Sequence, residues 1–171
     1  MSESRAVQLR TGIGFDVHPL RIGRALFLGG VEIPHSEGLE GHSDADVLTH
    51  AICDALLGAA GLEDIGHQFP DTDPQYKDIR STRLLERVVE MLAEVGAHPV
   101  NVDCVIVAQE PKLSPHFPAM KDALSAALGL PKPCIGVKAS KPELLASLGY
   151  EQGISAMATC LIETGGQCRD R

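Results

Sequence analysis

The alternation of apolar and polar positions predicts a chain in which strands and helices follow one another in mixed order. In residues 9–17, the apolar side chains of Ile13, Phe15 and Val17 recur at every second position, which is the period of a strand. Residues 154–163 are apolar on both faces, which favours burial on both sides, one of them against another subunit. Strands are predicted for residues 9–17, 100–108, 135–139 and 154–163, and a hairpin for residues 25–33.

Helical periods of apolar residues separate the predicted strands. Ser43 or Asp44 is suited to cap the first helix and Gly61 to end it, because short polar side chains satisfy free N–H groups and glycine adopts left-handed backbone. Residues 35–46 and 61–79 lack a period and are predicted loops, and a loop as long as the second is often functional. Helices are predicted over residues 44–60, 82–95 and 115–128, which together with the strands indicates an α+β fold.

Length and charge limit the class of protein further. The 171 residues fit one domain, residues 1–171, with the ordered core expected over residues 9–163. The formal net charge of −8 argues against a protein that binds the nucleic-acid backbone, since such a protein needs a basic surface. A phosphorylated small substrate remains compatible with this charge, because a bound metal can supply local positive charge.

Cysteine content and the N-terminal segment predict the compartment. The five cysteines are odd in number and form no CxxC pair, so we expect a reducing environment without structural disulfides. The chain has no apolar stretch of membrane-spanning length, and its first residues lack the apolar core of a signal peptide. We therefore expect a cytoplasmic protein, and the lack of a long Ser- and Arg-rich leader favours a bacterial cytoplasm over plastid import.

Three residues offer a set of metal ligands. Asp16 and His18 lie two positions apart on a predicted strand, so their side chains point to the same side. His50, on the first predicted helix, is available as a third ligand. Two imidazole nitrogens and one carboxylate with an open fourth position are typical of catalytic zinc, although a lone Asp-x-His pair is more often a hydrogen-bonded surface group.

Two polar clusters accompany these residues on the first predicted helix. Asp46, His50 and Asp54 are spaced by four and form one stripe, either as carboxylates that orient the His50 ring or as a solvent-facing side. His42 and Ser43 lie at the helix N-terminus, where free N–H groups and the helix dipole favour an anion such as phosphate. For Ser43, this role is compatible with that of an N-cap.

Two loops are candidates for ligand binding. Residues 64–73 include Asp71-Thr72-Asp73, whose carboxylates suit a divalent cation or polyol hydroxyls, although most such loops are simply turns. Residues 108–114 lead from a strand to a helix N-terminus, a common place for a ligand, but alone they indicate only a connection. Gly12-x-Gly14 lacks the third glycine of a dinucleotide fingerprint, and no Ser or Cys has the surroundings of a nucleophile elbow.

Short motifs occur along the chain in an order typical of one family. They are Gly14-Phe15-Asp16-Val17-His18, Gly29-Gly30-Val31-x-Ile33-Pro34, His42-Ser43-Asp44-x-Asp46-Val47, residues 54–60, Asp64-Ile65-Gly66, residues 69–74, Asn101-Val102-Asp103 and Pro111-Lys112-x-x-Pro115-His116. Each motif is weak alone, but the ordered set at fitting spacing is specific. Through these motifs, residues 9–163 resemble the 2-C-methyl-D-erythritol 2,4-cyclodiphosphate synthases of the non-mevalonate isoprenoid pathway.

The resemblance implies a ferredoxin-like α+β fold, with a mixed β-sheet and helices packed on one face. It also implies a homotrimer whose sheets face the threefold axis and whose active sites lie between subunits. The implied reaction converts 4-diphosphocytidyl-2-C-methyl-D-erythritol 2-phosphate to 2-C-methyl-D-erythritol 2,4-cyclodiphosphate and CMP, by attack of the substrate's own 2-phosphate on its β-phosphorus. The implied cofactors are Zn²⁺, one per subunit, and Mg²⁺ or Mn²⁺ bound with the substrate diphosphate.

Residue by residue, the resemblance assigns roles to positions that match the family's motifs. Asp16, His18 and His50 would hold zinc, and Glu143 would hold magnesium. His42 would be a catalytic residue that contacts phosphate. The implied substrate-binding residues are Asp16, His18, His42 and Ser43; Asp64, Ile65 and Gly66 at the ribose; Phe69, Pro70, Asp71, Thr72 and Asp73 over the methylerythritol; Ala108, Lys112, Leu113 and Ser114 in the cytidine pocket of the adjacent subunit; and Ala139, Ser140 and Glu143.

One segment departs from the family's pattern of a threonine run followed by a glutamate. This chain reads Ser140-Lys141-Pro142-Glu143, so Glu143 keeps the magnesium position and Ser140 keeps a hydroxyl. Lys141 replaces a threonine thought to help the transition state, and as a less directional donor it could still stabilise phosphate charge, which makes it the second candidate catalytic residue. Tyr150 stands where the family has an arginine tied to diphosphate binding in the central cavity of the trimer.

These departures leave two alternatives beside the cyclising enzyme. One is a related metal-dependent phosphotransferase or phosphohydrolase. The other is a metal-stabilised trimeric binding module that keeps Asp16, His18 and His50 but has no turnover.

Overall fold

The computed structural model describes residues 7–143 and 153–165, which form a β-sheet with helices packed against it. The strands are β1 (Gln8–Ile22), β2 (Leu26–Leu28), β3 (Val31–Ile33), β4 (Glu37–Leu39), β5 (Ala97–Val107), β6 (Ile135–Ser140) and β7 (Gly153–Thr164). The helices are α1 (Val47–Ala60), α2 (Ile65–Gln68), α3 (Ser81–Glu94) and α4 (Phe117–Leu128). Within these two ranges, every helix is too short or too polar to cross a membrane.

The main sheet of the described residues has five strands in the order β4-β1-β7-β5-β6, and β2 pairs with β3 in a separate hairpin. β5 and β6 run parallel, and the other neighbours in the sheet are antiparallel. The predicted α+β class with a mixed sheet is therefore confirmed.

The ferredoxin-like expectation needs correction in the connectivity of this sheet. Leaving out the short elements, the chain runs β-α-α-β-α-β-β, whereas a ferredoxin-like fold runs β-α-β-β-α-β. The difference arises because helix α4 carries the chain back so that β6 lies parallel beside β5. The last strand, β7, then fills the position between β1 and β5 and runs antiparallel to both.

Helix α1 packs closely against strand β1 because two glycines face it. A Cβ atom on Gly12 would lie 1.9 Å from the carbonyl oxygen of Ala55, and one on Gly14 would lie 2.0 Å from that of Ala51. Any larger residue at either position would therefore force the helix and the strand apart. Since Asp16 follows Gly14 on the same face of β1, this packing also determines how near Asp16 comes to α1.

The apolar core lies between the helices and the covered face of the sheet. Cys160 of β7 belongs to it, and its thiol donates a hydrogen bond to the carbonyl oxygen of Ala55 in α1 at 3.2 Å. Burial raises the pKa of the Cys160 thiol to about 11. Other fully buried large side chains of this core are Leu48, Ile52, Leu56 and Leu57 of α1, Leu85 and Leu92 of α3, Ile106 of β5 and Met120 of α4.

The opposite face of the sheet is apolar and is not covered by the described residues. Leu9, Ile13, Phe15 and Val17 of β1 and Met157 of β7 project from it, with exposed fractions between 41% and 66%. The alternation predicted from the sequence is therefore present in β1. The described residues cover only one of the two faces of β7 for which the sequence predicts burial, and the second face is free to meet another chain.

Several element boundaries differ from the predicted ones. Strand β1 continues past Pro19, which lies where the pairing of β1 passes from β7 to β4 and whose carbonyl accepts a hydrogen bond from Glu40 at 2.9 Å. The predicted loop 35–46 contains β4, and the predicted loop 61–79 contains α2 and a 3₁₀ turn. These pieces were predicted as loop because three or four residues are too few to show a period.

Helix α1 begins later than predicted, with Asp46 as its N-cap in place of Ser43 or Asp44. The buried Asp46 carboxylate accepts from the N–H of the third helical residue at 3.0 Å. It also accepts from the N–H groups of Gly29 at 2.8 Å and Gly30 at 2.6 Å, two turn residues with positive φ. One carboxylate thus starts the helix and fixes the hairpin turn, which a short-range capping rule does not reveal.

Replacing Gly14 with alanine is expected to destabilise the protein by about 3 kcal/mol, the upper range of the cost of overpacking. The added methyl group would meet the backbone of α1, which cannot move aside as a side chain can. Gly58→Ala is the matched control, because among the described residues nothing lies within 4 Å of its Cβ position. It is expected to stabilise the protein by up to about 1 kcal/mol through helix propensity. Equal effects of both variants on chemical denaturation would contradict the close approach at Gly14.

Candidate metal centre

The three predicted ligands Asp16, His18 and His50 meet between strand β1 and helix α1. Asp16 Oδ2 lies 3.0 Å from Nε2 of His18 and 2.9 Å from Nδ1 of His50. One ligand atom from each residue lies within 4.8 Å of the other two. The three side chains are between 12% and 24% exposed, so the cluster is partly buried but open to a small ligand.

The hydrogen bonds of the two imidazoles leave the right nitrogens available for a metal. Nδ1 of His18 lies 2.6 Å from the carbonyl oxygen of Glu40, which can only accept, so Nδ1 carries a proton and Nε2, which faces Asp16, is the nitrogen that can bind a metal. On His50, Nδ1 faces Asp16, while Nε2 faces the hydroxyl of Ser81 at 2.8 Å. Two nitrogens, one carboxylate and an open position fit a divalent transition metal.

Burial and the interactions inside the cluster shift the pKa values of Asp16 and His18 in opposite directions. Burial acts to raise the pKa of Asp16, but the hydrogen bonds from His18 and His50 hold it below its ordinary value. Burial acts to lower the pKa of His18, but the neighbouring Asp16 carboxylate raises it above its ordinary value. A proton on His18 therefore occupies the position that a metal ion would take, so the cluster is suited to exchange one cation for another.

Known proteins that resemble this chain match nine-tenths of it or more. Residues 9–163 match the model of the YgbB family. The chain belongs to this family. A curated relative from Syntrophomonas wolfei, named 2-C-methyl-D-erythritol 2,4-cyclodiphosphate synthase, is 56% identical over 155 residues, which are 91% of this chain and 99% of that protein. Another of the same name, from Dechloromonas aromatica, is 54% identical over 94% of this chain and 100% of its own.

Solved structures of YgbB family relatives share the fold. The CDP-bound form of a 2C-methyl-D-erythritol-2,4-cyclodiphosphate synthase is 40% identical, with a TM-score of 0.82 over 90% of this chain and 99% of its own. The bifunctional IspDF from Campylobacter jejuni is 38% identical, with a TM-score of 0.89 over 96% of this chain. This chain spans only 44% of that bifunctional protein. The family resemblance predicted from the motifs is confirmed.

The polar stripe on α1 has a different role from either one predicted. Neither Asp46 nor Asp54 hydrogen-bonds the His50 ring; Asp46 caps α1, and Asp54 accepts from the N–H of Ile65 at 2.8 Å. Asp46 is fully buried, so the stripe is not a solvent-facing side either. The carboxylate that contacts His50 is Asp16, which comes from β1 and not from the helix.

His42 and Ser43 lie on the loop that enters α1. The Ser43 hydroxyl is buried, lies 3.2 Å from Nε2 of His50 and accepts from the N–H of Ala45 at 3.1 Å. His42 is half-buried, and its carbonyl accepts from the N–H of Asp78. The structure thus brings Ser43 beside the metal ligands.

Residues 64–73 form short structured turns. Asp64 caps α2 by accepting from the N–H of His67 at 3.0 Å, and Asp73 caps a 3₁₀ turn. Phe69 packs edge-on against Tyr76, with ring centroids 5.4 Å apart. The turn interpretation accounts for Asp64 and Asp73. The other predicted contacts of this segment, Ile65, Gly66, Pro70, Asp71 and Thr72, are exposed or half-buried.

The residues predicted to bind the nucleotide gather where strands β5 and β6 end. The N–H of Ala108 donates to the carbonyl of Ser140 at 3.2 Å, so residues 108–114 and 139–143 lie at one edge of the sheet. Ala108 and Leu113 are buried, and the exposed members are Lys112, Ser114, Ala139, Ser140, Lys141 and Glu143. Tyr150 lies outside the described residues.

This edge is far from the metal ligands of the same chain. Asp16 pairs with Ala156, Ala156 with Ile106, and Ile106 with Ala139, so Asp16 and Ala139 occupy one row of the sheet. Three strand spacings separate them, roughly 14 Å. One chain therefore presents two separate clusters.

Replacing His18 with alanine is expected to weaken Zn²⁺ binding by more than about 100-fold, because even the loss of a ligand's hydrogen-bond partner costs roughly 10- to 100-fold. Equilibrium dialysis with metal analysis measures the effect. Asp54→Asn is the control, since Asp54 is a carboxylate on α1 outside the cluster. Equal affinity of the His18→Ala variant and the unmodified protein would exclude this cluster as the metal site.

Zn²⁺ affinity is expected to fall with decreasing pH. The pKa of His18 is raised, so below it Nε2 must release a proton before it binds the metal, whereas Asp16, with its lowered pKa, is already ionised. Each displaced proton lowers the affinity about tenfold per pH unit. Calorimetric titration between about pH 5.5 and 8 measures this. A His67→Ala variant, which removes an exposed histidine whose pKa is also raised, should keep the same dependence. A flat profile would contradict metal binding through His18.

Proposed function

We propose that this chain catalyses the cyclodiphosphate synthase reaction of the non-mevalonate isoprenoid pathway. It converts 4-diphosphocytidyl-2-C-methyl-D-erythritol 2-phosphate to 2-C-methyl-D-erythritol 2,4-cyclodiphosphate and CMP. The main observation behind the proposal is a cluster of two imidazole nitrogens and one carboxylate, formed by Asp16, His18 and His50. Relatives of this name, at 54–56% identity over more than nine-tenths of the chain, support it.

The reaction is an intramolecular phosphoryl transfer. An oxygen of the 2-phosphate forms a bond to the β-phosphorus, while the bond from that phosphorus to the bridging oxygen of the CMP phosphate breaks and CMP leaves. Such a transfer needs positioning and charge neutralisation, and the substrate itself supplies the nucleophile. Zn²⁺ held by Asp16, His18 and His50, with Mg²⁺ or Mn²⁺ held by Glu143, would supply Lewis-acid stabilisation of the phosphate charge.

The chain's own donors hold the reacting phosphates in place. His42 and Ser43 lie on the loop before α1, beside His50, where they can donate hydrogen bonds to phosphate oxygens. Lys141, exposed just past β6, offers a mobile ammonium group in place of a hydroxyl. We assign His42 and Lys141 as the catalytic residues, because both would touch the phosphates while charge moves between them.

The substrate is long enough to need contacts at both clusters. Asp64, Ile65 and Gly66 would meet the ribose, and residues 69–73 would close over the methylerythritol. The nucleotide edge, residues 108–114 with Ala139 and Ser140, would hold the cytidine. In one chain this edge is roughly 14 Å from Asp16, which supports a cytidine pocket that comes from an adjacent subunit to complete each metal centre.

The uncovered sheet face supports assembly of the chain as a homotrimer. Ile13, Phe15 and Val17 are each more than half exposed in the single chain, and a threefold arrangement of sheets around one axis would bury them. Subunits in this arrangement share their active sites. The named relatives are bacterial, and we propose a bacterial cytoplasmic location.

Phosphorus NMR of the reaction products tests the proposal directly. The protein with Zn²⁺ and Mg²⁺ is expected to convert the cytidylyl substrate to the cyclic diphosphate and CMP in equal amounts. Release of CMP with only linear phosphorylated products would instead support the phosphohydrolase alternative. Retention of Zn²⁺ and substrate without turnover would support the binding module.

Replacing Lys141 with methionine is expected to lower kcat about 100-fold, the size of the effect when one transition-state donor is lost. KM should change little if the ammonium acts mainly on charge that develops during transfer. Lys138→Met is the matched control, because Lys138 is exposed on β6, the strand that ends just before Lys141, and pairs with Asp103. Steady-state kinetics of both variants measure this. If kcat is unchanged in both variants, Lys141 has no role in the mechanism.

A further inference from the structure

The second ring nitrogen of His50 faces a buried hydrogen-bond chain. Nε2 of His50 lies 2.8 Å from Oγ of Ser81, the first residue of helix α3. Oδ1 of Asp44 lies 2.5 Å from the same Oγ and 3.1 Å from the backbone nitrogen of Ser81. Ser81 is fully buried, and the Asp44 side chain is only 5% exposed. The hydrogen bonds therefore lead from His50, a candidate metal ligand, into the protein interior.

The direction of each hydrogen bond follows from the groups involved. The backbone N–H of Ser81 can only donate, so Oδ1 of Asp44 is an acceptor. The Ser81 hydroxyl therefore donates its one hydrogen to Oδ1, and its lone pairs face Nε2 of His50. Nε2 must then carry the proton and donate it to Ser81. Nδ1 lies 2.9 Å from Oδ2 of Asp16, so it is the nitrogen that faces the metal position, where a bound metal would replace the proton that otherwise joins Nδ1 to the carboxylate.

Asp44, at the far end of the hydrogen-bond chain, is held in place by protein groups alone. Nε of Arg80 lies 3.3 Å from Oδ2 of Asp44, and its guanidinium group donates to the carbonyl of Gly30 at 2.9 Å. The same guanidinium group stacks 3.9 Å above the ring of Phe27. The backbone N–H of Asp44 donates to Ile79 at 3.1 Å. The Asp44 carboxylate is thus held in one orientation before any ligand binds.

We propose that Ser81 and Asp44 are positioning residues that hold His50 in the Nε2–H tautomer and so present Nδ1 to the metal. They act through His50 and do not touch the substrate. The inference rests on the proposed function only in that the metal ligands are those of the proposed active site. Neutral histidine in water populates both tautomers and can bind a metal through either nitrogen, so a fixed acceptor for the Nε2 proton favours binding through Nδ1 and raises the affinity of the site.

Ser43 is the competing partner for Nε2, and the geometry favours Ser81. Oγ of Ser43 lies 3.2 Å from Nε2, compared with 2.8 Å for Oγ of Ser81. Ser43 already accepts from the N–H of Ala45 and has no hydrogen bond to Asp44 among the described contacts. The single proton on Nε2 is therefore directed mainly to Ser81.

Nitrogen-15 NMR of the Zn²⁺-loaded protein tests the position of the proton directly. The His50 signals, assigned from a His50→Gln variant, are expected to show a protonated Nε2 and a metal-bound Nδ1. A proton on Nδ1 with the metal on Nε2, a mixture of both forms, or no binding of Zn²⁺ at all would overturn the proposal. This measurement uses the unmodified protein, so it decides the question even if a variant of the buried Ser81 fails to fold.

The Zn²⁺ affinity of matched variants tests whether Ser81 strengthens metal binding through His50. Ser81→Ala is expected to bind Zn²⁺ about 10- to 100-fold more weakly and to show both His50 tautomers, whereas Ser43→Ala should stay within about threefold of the unmodified protein. A Ser81→Ala variant with unchanged affinity and tautomer would overturn the proposal, as would an equal loss in both variants. If the unmodified protein makes no cyclic product, the proposed function fails, but these two readouts still stand.

Discussion

The close contact between helix α1 and strand β1 is the constraint on which the candidate site depends. Gly12 and Gly14 bring the backbone of the helix against the strand, and the next two side chains on that face of β1 are Asp16 and His18. His50 projects from the helix toward them. The spacing of the ligands is therefore set by two rigid elements in direct backbone contact. A site built in this way needs little reorganisation when it binds a metal, which favours affinity and a defined geometry.

The two faces of the sheet have different surroundings and are suited to different roles. The covered face holds the core and orients the candidate metal ligands, whereas the uncovered face of β1 and β7 is apolar and suited to a subunit interface. The same sheet also separates the metal cluster from the nucleotide edge by the width of three strand spacings. Under the proposed function, a single chain holds both parts of the site at separate places on its sheet. Under the proposed assembly, folding of each chain and formation of a complete site are separate events.

Local sequence patterns predicted the longer helices and strands and the candidate metal ligands. The spacing of Asp16 and His18 on a strand, and the helical period around His50, were sufficient to propose one cluster, and the ordered motifs identified the family. The strand β4 and the helix α2 were missed because elements of three or four residues carry no readable period.

The hydrogen-bond partners of the site could not be predicted in the same way. Asp46 was proposed to orient His50, yet its carboxylate is used by the turn at Gly29 and Gly30, a contact between segments far apart in the chain. Ser81 and Asp44 were missed as partners of His50 because the start of α3 and the loop before α1 meet only in three dimensions. The one signal in the sequence was a small hydroxyl residue at the start of an otherwise strongly amphipathic helix.

The thiol of Cys160 makes the contact between α1 and the sheet directly observable. It lies under the helix, hydrogen-bonded to Ala55, on the strand position that pairs with Gly12. With a pKa of about 11 and almost no exposure, it is inert to alkylating reagents while the helix stays in place. It becomes reactive only when α1 lifts away from the strand. The rate at which this one sulfur is alkylated therefore reports how often the protein opens locally beneath the candidate metal ligands.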